Sequence, residues 1–108
     1  MIYSINELKK RIVPVAKKYQ LSAVYLFGSY ARNEATDDSD VDVLIDRTGS
    51  SVKTLFDMGA LYNDLCESIG KEVDLVTTYA LLESRAKDRT PWFTENVMRE
   101  RVAVYKRQ

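Results

Sequence analysis

Two aspartates stand on alternating positions at the start of an apolar run, in the sequence Asp40-Val41-Asp42 followed by Val-Leu-Ile. Side chains of a strand alternate between its two faces, so Asp40 and Asp42 project from the same face, roughly 7 Å apart. Burying charge on a strand is costly unless the charge is paired. Hard cations such as Mg²⁺ commonly bind one or two protein carboxylates together with substrate phosphates. The two aspartates therefore predict a metal site that a nucleoside triphosphate would complete, and the alternative is an exposed strand end with two solvated acids.

A Gly-Ser pair precedes these aspartates by ten residues. Gly28 lets the backbone approach a phosphate closely, because it has no side chain. Ser29 offers a hydroxyl and a backbone N–H at the start of a predicted short helix, whose dipole favours an anion. The alternative interpretation, that Ser29 only caps this helix, is compatible with phosphate binding. One ligand would satisfy both sites, since a nucleoside triphosphate places its phosphates at Gly28 and Ser29 and its metal at the two aspartates.

A third carboxylate is needed to bind a second metal or to accept a proton from an attacking hydroxyl. Asp74 is the only acidic residue in the middle of another predicted strand, in the sequence Glu-Val-Asp-Leu-Val-Thr. The chain contains no histidine, so Asp74 is the natural candidate for the base. The alternative is that Asp74 is an edge-strand charge that discourages aggregation.

The elements that must position these residues follow from hydrophobic periodicity and from end signals. A capping box at Ser4 to Glu7 opens the first helix, in which Pro14 is a possible kink, and Ser50 or Ser51 is expected to cap the second long helix, which Gly70 ends. The predicted helices cover residues 5–19, 52–68, 79–88 and 91–106, and the predicted strands cover residues 22–27, 40–46 and 72–77. This order predicts one α/β domain over residues 1–108, a short mixed sheet with helices packed on it.

Composition narrows the class of protein. Sixteen basic residues balance sixteen acidic ones, which argues against direct binding of a nucleic acid, although the basic C-terminal segment leaves RNA contact open. No run of about 18 apolar residues and no signal-like N-terminus is present, so a cytoplasmic protein with no membrane span is expected. The single cysteine, Cys66, excludes an internal disulfide and is expected in the core.

The string "GSYARNEATDDSDVDVLI" resembles the signature of the DNA polymerase β-like nucleotidyltransferases, and in particular their minimal nucleotidyltransferase branch. The resemblance covers nearly the whole chain, from the leading helix to the C-terminal "VMRERVAVYKR". It implies a polymerase β-like fold and MgATP as the substrate, with two Mg²⁺ ions. By this resemblance the catalytic and metal-binding residues are Asp40, Asp42 and Asp74, and the triphosphate is held by Gly28 and Ser29.

Further residues are less closely tied to the motif. Arg32 is a candidate to contact a triphosphate oxygen, although a partner contact or a solvated helix face fits it equally well. Ser39 is a further nucleotide-binding candidate beside the aspartates. Asn33 stands where the family frequently has glycine, and Arg101 departs in the same way in the last helix. We expect the first change only to stiffen a turn.

The resemblance also implies a partner. Short members of the branch are typically the antitoxin of a two-gene pair with an all-helical HEPN ribonuclease toxin, and transfer AMP from ATP to a tyrosine of the toxin. A hetero-oligomer with such a toxin is therefore expected. On the last helix, Trp92, Phe93 and Tyr105 are a candidate interface, although residues of this type more often pack in a core. Two alternatives stay open: a binding-only antitoxin that acts by occlusion, and transfer to a small molecule such as an aminoglycoside.

Overall fold

A computed structural model describes residues 2–78, 80 and 91–107 as four strands and four helices. In chain order these are α1 (Ile5–Lys18), β1 (Ala23–Phe27), α2 (Gly28–Ala31), β2 (Val41–Asp46), α3 (Leu55–Ile69), β3 (Val73–Thr77), α4 (Pro91–Glu100) and β4 (Val102–Lys106). The predicted α/β class is confirmed. Apart from residue 80, the helix expected over residues 79–88 lies outside the described residues. No helix within the described ranges is both long and apolar enough to cross a membrane.

The strands form one mixed sheet in the order β3-β2-β1-β4. β1 pairs antiparallel with both β2 and β4, whereas β2 and β3 are parallel. Parallel neighbours need a crossover connection, and α3 supplies it between β2 and β3. The sheet therefore brings two strands that carry predicted site residues side by side and in the same direction.

The helix starts follow side-chain capping. The Ser4 hydroxyl accepts a hydrogen bond from the Glu7 backbone N–H at 3.1 Å, as predicted, and α1 runs through Pro14 to Lys18. The prediction that Ser50 or Ser51 caps the next long helix is wrong. Thr54 caps α3 and forms a capping box with Asp57, whose carboxylate accepts from the Thr54 backbone N–H at 3.0 Å.

The last predicted helix is too long. α4 ends at Glu100, and Val102–Lys106 forms β4 against β1 instead of continuing the helix to residue 106. The segment Val-Ala-Val-Tyr-Lys is rich in strand formers, and Val104 is buried between an exposed Ala103 and a half-buried Tyr105. Pairing with the open edge of β1 satisfies backbone groups that a fourth helical turn would have left unpaired. Tyr105 therefore lies on a strand, and the side chains of Trp92 and Phe93 are outside the described set.

The main core lies on the sheet face that α1 and α3 cover. Its buried residues are Leu8, Ile12, Val15, Ala16, Leu21, Val24, Leu26, Tyr30, Val41, Val43, Ile45, Val52, Leu61, Leu65, Ile69, Val73 and Val104. Cys66, which is expected in the core, is partly buried and packs against the margin of this core. The opposite face carries a smaller cluster of Phe27, Leu44 and Val97, with Tyr25 and Val76 against it. One face of the sheet is thus closed by helices, while the other has few buried apolar residues among those that the structure describes.

Candidate active site

The less covered face of the sheet carries a cavity of about 460 Å³. Among the described residues, its lining consists of Phe27, Gly28, Ser29, Arg32, Asp42, Asp74, Asn96, Val97 and Glu100. Five of the seven residues that the sequence nominates are in this list, namely Gly28, Ser29, Arg32, Asp42 and Asp74. Asp40 and Ser39 are not in it. The cavity therefore brings the Gly-Ser pair, one aspartate of the Asp-x-Asp motif and the third carboxylate to one place.

Sheet register explains how these residues meet. Asp42 on β2 is the direct partner of Asp74 on the parallel strand β3 and of Phe27 on the antiparallel strand β1. Neighbouring strands are about 4.8 Å apart, so residues in register project side by side. Because Gly28 follows Phe27, the start of α2 lies directly over Asp42. Three segments separated in sequence thus converge on one carboxylate.

Gly28 is required here for two reasons. Its φ of +70° lies in the left-handed region, which glycine adopts without steric strain because it has no Cβ atom. A Cβ atom at this position would collide with Oδ2 of Asp42. The turn from β1 into α2 can therefore approach the carboxylate closely only with glycine. Asn33, after α2, also adopts a positive φ of 60°, which agrees with the glycine that the family frequently has there.

Asp42 is the electrostatic centre of the site. Burial and the negative charges of Asp74 and Asp40 raise the pKa of the half-buried Asp42 carboxyl to about 6, and the positive charge of Arg32 partly offsets them. Asp40, one residue before β2, is exposed and acts on Asp42 through its charge. The site holds an excess of negative charge that a cation would relieve.

The carboxylates of the site match part of the ligand shell that Mg²⁺ needs. Within the described ranges, no group of three or more His, Cys, Asp or Glu side chains stands close enough to hold a metal ion by itself. Two carboxylates, Asp42 and Asp74, line the cavity. Mg²⁺ commonly takes one or two protein carboxylates and completes its octahedron with waters and substrate phosphates. The residues present fit an ion that arrives with a nucleotide.

Ser39 has a local partner. Its hydroxyl accepts a hydrogen bond from the Thr36 backbone N–H at 2.8 Å and lies 3.3 Å from the Thr36 hydroxyl. Its carbonyl accepts from Lys71 Nζ at 3.4 Å. Ser39 therefore holds the turn that precedes Asp40, and its binding of nucleotide stays a prediction.

Sequence reasoning missed the wall that α4 contributes. Asn96, Val97 and Glu100 line the cavity from this helix. Glu100 accepts from Arg32 at 3.3 Å, whereas the Asn96 side-chain oxygen accepts from Arg99 at 3.0 Å. Residues three and four apart share a helix face, so Asn96 and Glu100 form a polar strip beside Val97. That spacing was the available signal, but it does not distinguish a site wall from a solvated face.

Comparisons with known proteins agree with this geometry. The family model described as polymerase beta, nucleotidyltransferase matches residues 10–108. A relative from Methanocaldococcus jannaschii, provisionally named protein adenylyltransferase MJ0435, is 42% identical over 86 residues, which cover 80% of this chain and 89% of the relative. Protein adenylyltransferase MntA of Thermococcus cleftensis is 35% identical over 71 residues, which cover 66% of this chain and 70% of that one.

Solved structures share the fold. A provisionally assigned minimal nucleotidyltransferase superposes with a TM-score of 0.65 at 28% identity, over 93% of this chain and 95% of the other. A complex of the tri-AMPylated Shewanella oneidensis HEPN toxin with an MNT antitoxin gives a TM-score of 0.62 at 17% identity, over 96% of this chain and 74% of that chain. At that identity the second likeness concerns the fold alone.

Proposed function

Because the chain belongs to the polymerase β nucleotidyltransferase family, we propose that it transfers AMP from ATP to a hydroxyl group of a protein partner. The observation that carries this proposal is the register of Asp42 with Asp74 directly beside Gly28, in one cavity. The names of the relatives supply the transferred group, since they are called protein adenylyltransferases. The whole chain acts as one catalytic domain.

Each residue has a separate task in this proposal. The close backbone approach at Gly28, with the Ser29 hydroxyl and N–H, holds the triphosphate. Asp74 accepts the proton of the attacking hydroxyl, because the chain has no histidine to do so. Arg32 supplies the positive charge of the lining and binds phosphate oxygens. Ser39 holds the turn that leads to Asp40, next to the nucleotide.

Two Mg²⁺ ions would be held by Asp40, Asp42 and Asp74 together with the phosphates. Bound Mg²⁺ supplies neutralising charge for the α-phosphate and the pyrophosphate leaving group. The protein's own contribution is the placement of its carboxylates. Asp42 and Asp74 are fixed by neighbouring strands, whose geometry is more precise than that of a loop. The raised pKa of Asp42 falls back when a cation offsets the neighbouring negative charges.

The acceptor in this proposal is a tyrosine of a cognate HEPN ribonuclease toxin, which is silenced by the added AMP. The fold neighbour whose description names a tri-AMPylated HEPN toxin in complex with an MNT antitoxin supports this choice. The toxin docks as a separate protein and forms a hetero-oligomer with the chain. With equal numbers of acidic and basic residues, the chain itself does not grip nucleic acid. An enzyme that consumes ATP to silence a ribonuclease acts in the cytoplasm.

Intact-mass spectrometry of the partner tests this function. The chain is incubated with ATP, Mg²⁺ and the cognate HEPN ribonuclease of this proposal, and the ribonuclease is then weighed. We expect mass gains in whole AMP steps and a parallel loss of ribonuclease activity. A stable complex with an unmodified, inactive ribonuclease would show that the chain inhibits the ribonuclease by occlusion and not by AMP transfer. A mass gain on an aminoglycoside but not on the ribonuclease would replace the protein acceptor by a small molecule.

A further inference from the structure

Arg32 is held by two carboxylates from different parts of the chain. Its Nε lies 3.4 Å from Oε1 of Glu34, two residues further on. Its Nη1 lies 3.3 Å from Oε2 of Glu100, at the end of α4. The guanidinium is therefore partnered on two sides.

The two partners differ in their relation to the cavity. Arg32 and Glu100 both belong to the cavity lining, and Glu34, although described, does not. The bond between Arg32 and Glu100 therefore joins the α2 wall to the α4 wall of the cavity. The contact of Arg32 with Glu34 lies beside the cavity, within the turn that follows α2.

The Arg32–Glu100 ion pair is suited to being exchanged. The two side chains are 43% and 37% exposed, and ion pairs in contact with water contribute little net free energy. A guanidinium binds phosphate through a planar fork of N–H groups, with a geometry that matches two oxygens. A phosphate that binds Arg32 through Nη1 competes with Glu100 for that nitrogen.

The charges of the cavity point the same way. Of the described lining residues, Asp42, Asp74 and Glu100 are acidic and Arg32 alone is basic. Mg²⁺ offsets the two aspartates when it binds with the nucleotide. Glu100 belongs to the opposite wall and to an ion pair, so its charge stays and repels the triphosphate. Glu100 thus both occupies Arg32 and opposes the ligand that needs it.

We propose that Glu100 is a positioning residue that holds Arg32 until a triphosphate binds, so that Glu100 weakens nucleotide binding and binding requires the Arg32–Glu100 ion pair between α2 and α4 to break. The inference rests on the proposed function in one respect, since it takes a nucleoside triphosphate as the ligand. It adds a residue that no motif nominates, and it links nucleotide binding to the helix that leads into β4.

Calorimetric titration with MgATP, without any partner protein, tests the inference. Glu100→Gln removes the charge and keeps the size, and we expect its Kd for MgATP to fall about fivefold, since one nearby repulsive charge is removed and the competing hydrogen bond to Arg32 loses its charge assistance. Glu34→Gln is the matched control, because it removes the other partner of Arg32 outside the cavity lining. Its Kd should stay within about twofold of wild type, because its charge lies further from the ligand and is screened by solvent.

Two further measurements separate this role from a merely structural one. Adenosine has no phosphate, so its affinity should be the same for wild type and Glu100→Gln. In an Arg32→Gln background, Glu100→Gln should improve MgATP binding by less than in wild type, because no guanidinium is left to release. Glu100→Ala serves in the same tests if Glu100→Gln does not fold.

The outcomes are distinguishable. An unchanged or raised Kd in Glu100→Gln, or equal gains with and without Arg32, overturns the role of Glu100 and leaves the proposed function standing. A wild-type protein that binds no MgATP overturns both. A lower Kd that depends on Arg32 and is absent for adenosine supports the inference.

Discussion

The two faces of the sheet use the same strands for opposite purposes. On β2, Val41, Val43 and Ile45 are fully buried against the layer of α1 and α3, whereas the alternating Asp42 lines the cavity. β3 repeats the pattern, with Val73 buried in the core and Asp74 in the cavity lining. The period of two residues in a strand makes this division possible. The face that α1 and α3 cover, here called the helical face, stabilises the fold. The opposite face, here called the open face, lowers that stability because it carries a cluster of like charges.

This division predicts that stability and activity can be changed separately by substituting alternate residues of one strand. The helical face resists change because its residues are close-packed, and removing a methyl group there leaves a cavity. The open face tolerates loss of charge, because its carboxylates repel one another in the absence of a cation. Variants from both faces of β2 and β3 therefore measure how complete the division is.

The largest expected effect is on the open face. Asp42→Asn should lower the rate of AMP transfer at least about 10³-fold, roughly 4 kcal/mol of transition-state stabilisation, because the amide no longer offers the negative charge that a cation needs. The rate is measured with a labelled α-phosphate of ATP and the partner protein. The variant should melt at or above the wild-type temperature at pH 7. A variant that transfers normally, or that fails only because it unfolds, would contradict the division.

The next effect is on the helical face of the same strand. Ile45→Ala should lower the free energy of unfolding by about 3 kcal/mol, since Ile45 is fully buried and the truncation leaves a cavity. Urea unfolding at constant protein concentration measures it, and the milder Ile45→Val should cost about 1 kcal/mol. Below its melting temperature Ile45→Ala should transfer AMP at close to the wild-type rate. A rate that falls as far as in Asp42→Asn would show that the two faces are coupled.

Gly28→Ala changes a residue on which both the stability of the fold and the activity of the site depend. The φ of +70° strains any residue with a Cβ, and that Cβ would collide with Asp42 Oδ2. We expect a loss of about 2 kcal/mol in unfolding free energy together with a lower rate of AMP transfer. Gly59→Ala is the matched control, because Gly59 lies within α3 and a Cβ there meets no atom within 4 Å. This control should raise stability slightly, through better helix propensity.

The smallest effect is a pH dependence carried by Asp42. Its pKa is raised to about 6 in the folded protein from an ordinary value of 3.8. The folded state therefore binds this proton more tightly, and the stability from this group is complete below about pH 4 and is lost as the pH rises through 6. After allowance for solvent screening we expect a loss of about 1 kcal/mol.

Melting curves between pH 4 and pH 7 measure this dependence, with Asp42→Asn as the reference. The difference in stability between the two proteins should grow over that range in favour of Asp42→Asn. Added Mg²⁺ should narrow the difference at pH 7 by stabilising the wild type. If the stabilities of the two proteins depend on pH in the same way, the group that titrates is not Asp42.

Much of the fold and site was accessible from the sequence because the strongest signals are local. Ser4 and Gly70 mark helix ends through their own side chain or backbone, and both assignments were correct. The Gly-Ser pair and Asp42 share a cavity because a strand, a turn and a return strand bring them together over a short stretch. The placement of Asp74 required only that two predicted strands be neighbours.

The errors concern long-range contacts. Val102 and Tyr105 stand at helical spacing, three residues apart, and only the open edge of β1 decides for a strand. Thr54 and Ser51 are equally good caps by residue type, but the Ser51 hydroxyl donates to the Tyr19 carbonyl at 3.0 Å, which the sequence does not reveal. Glu100 contacts the site through Arg32, which lies 68 positions earlier in the sequence, so no local motif could identify it.

AMP transfer by Asp74→Asn shows whether the register of Asp42 with Asp74 supplies the carboxylate pair that the reaction needs. Asp74 is exposed on its strand and lines the cavity, so the substitution should leave the melting temperature within a few degrees of wild type. Transfer of labelled AMP to the partner ribonuclease should fall at least about 100-fold, because the reaction loses both a metal ligand and the acceptor of the hydroxyl proton. A folded Asp74→Asn protein that transfers AMP at the wild-type rate would contradict the account.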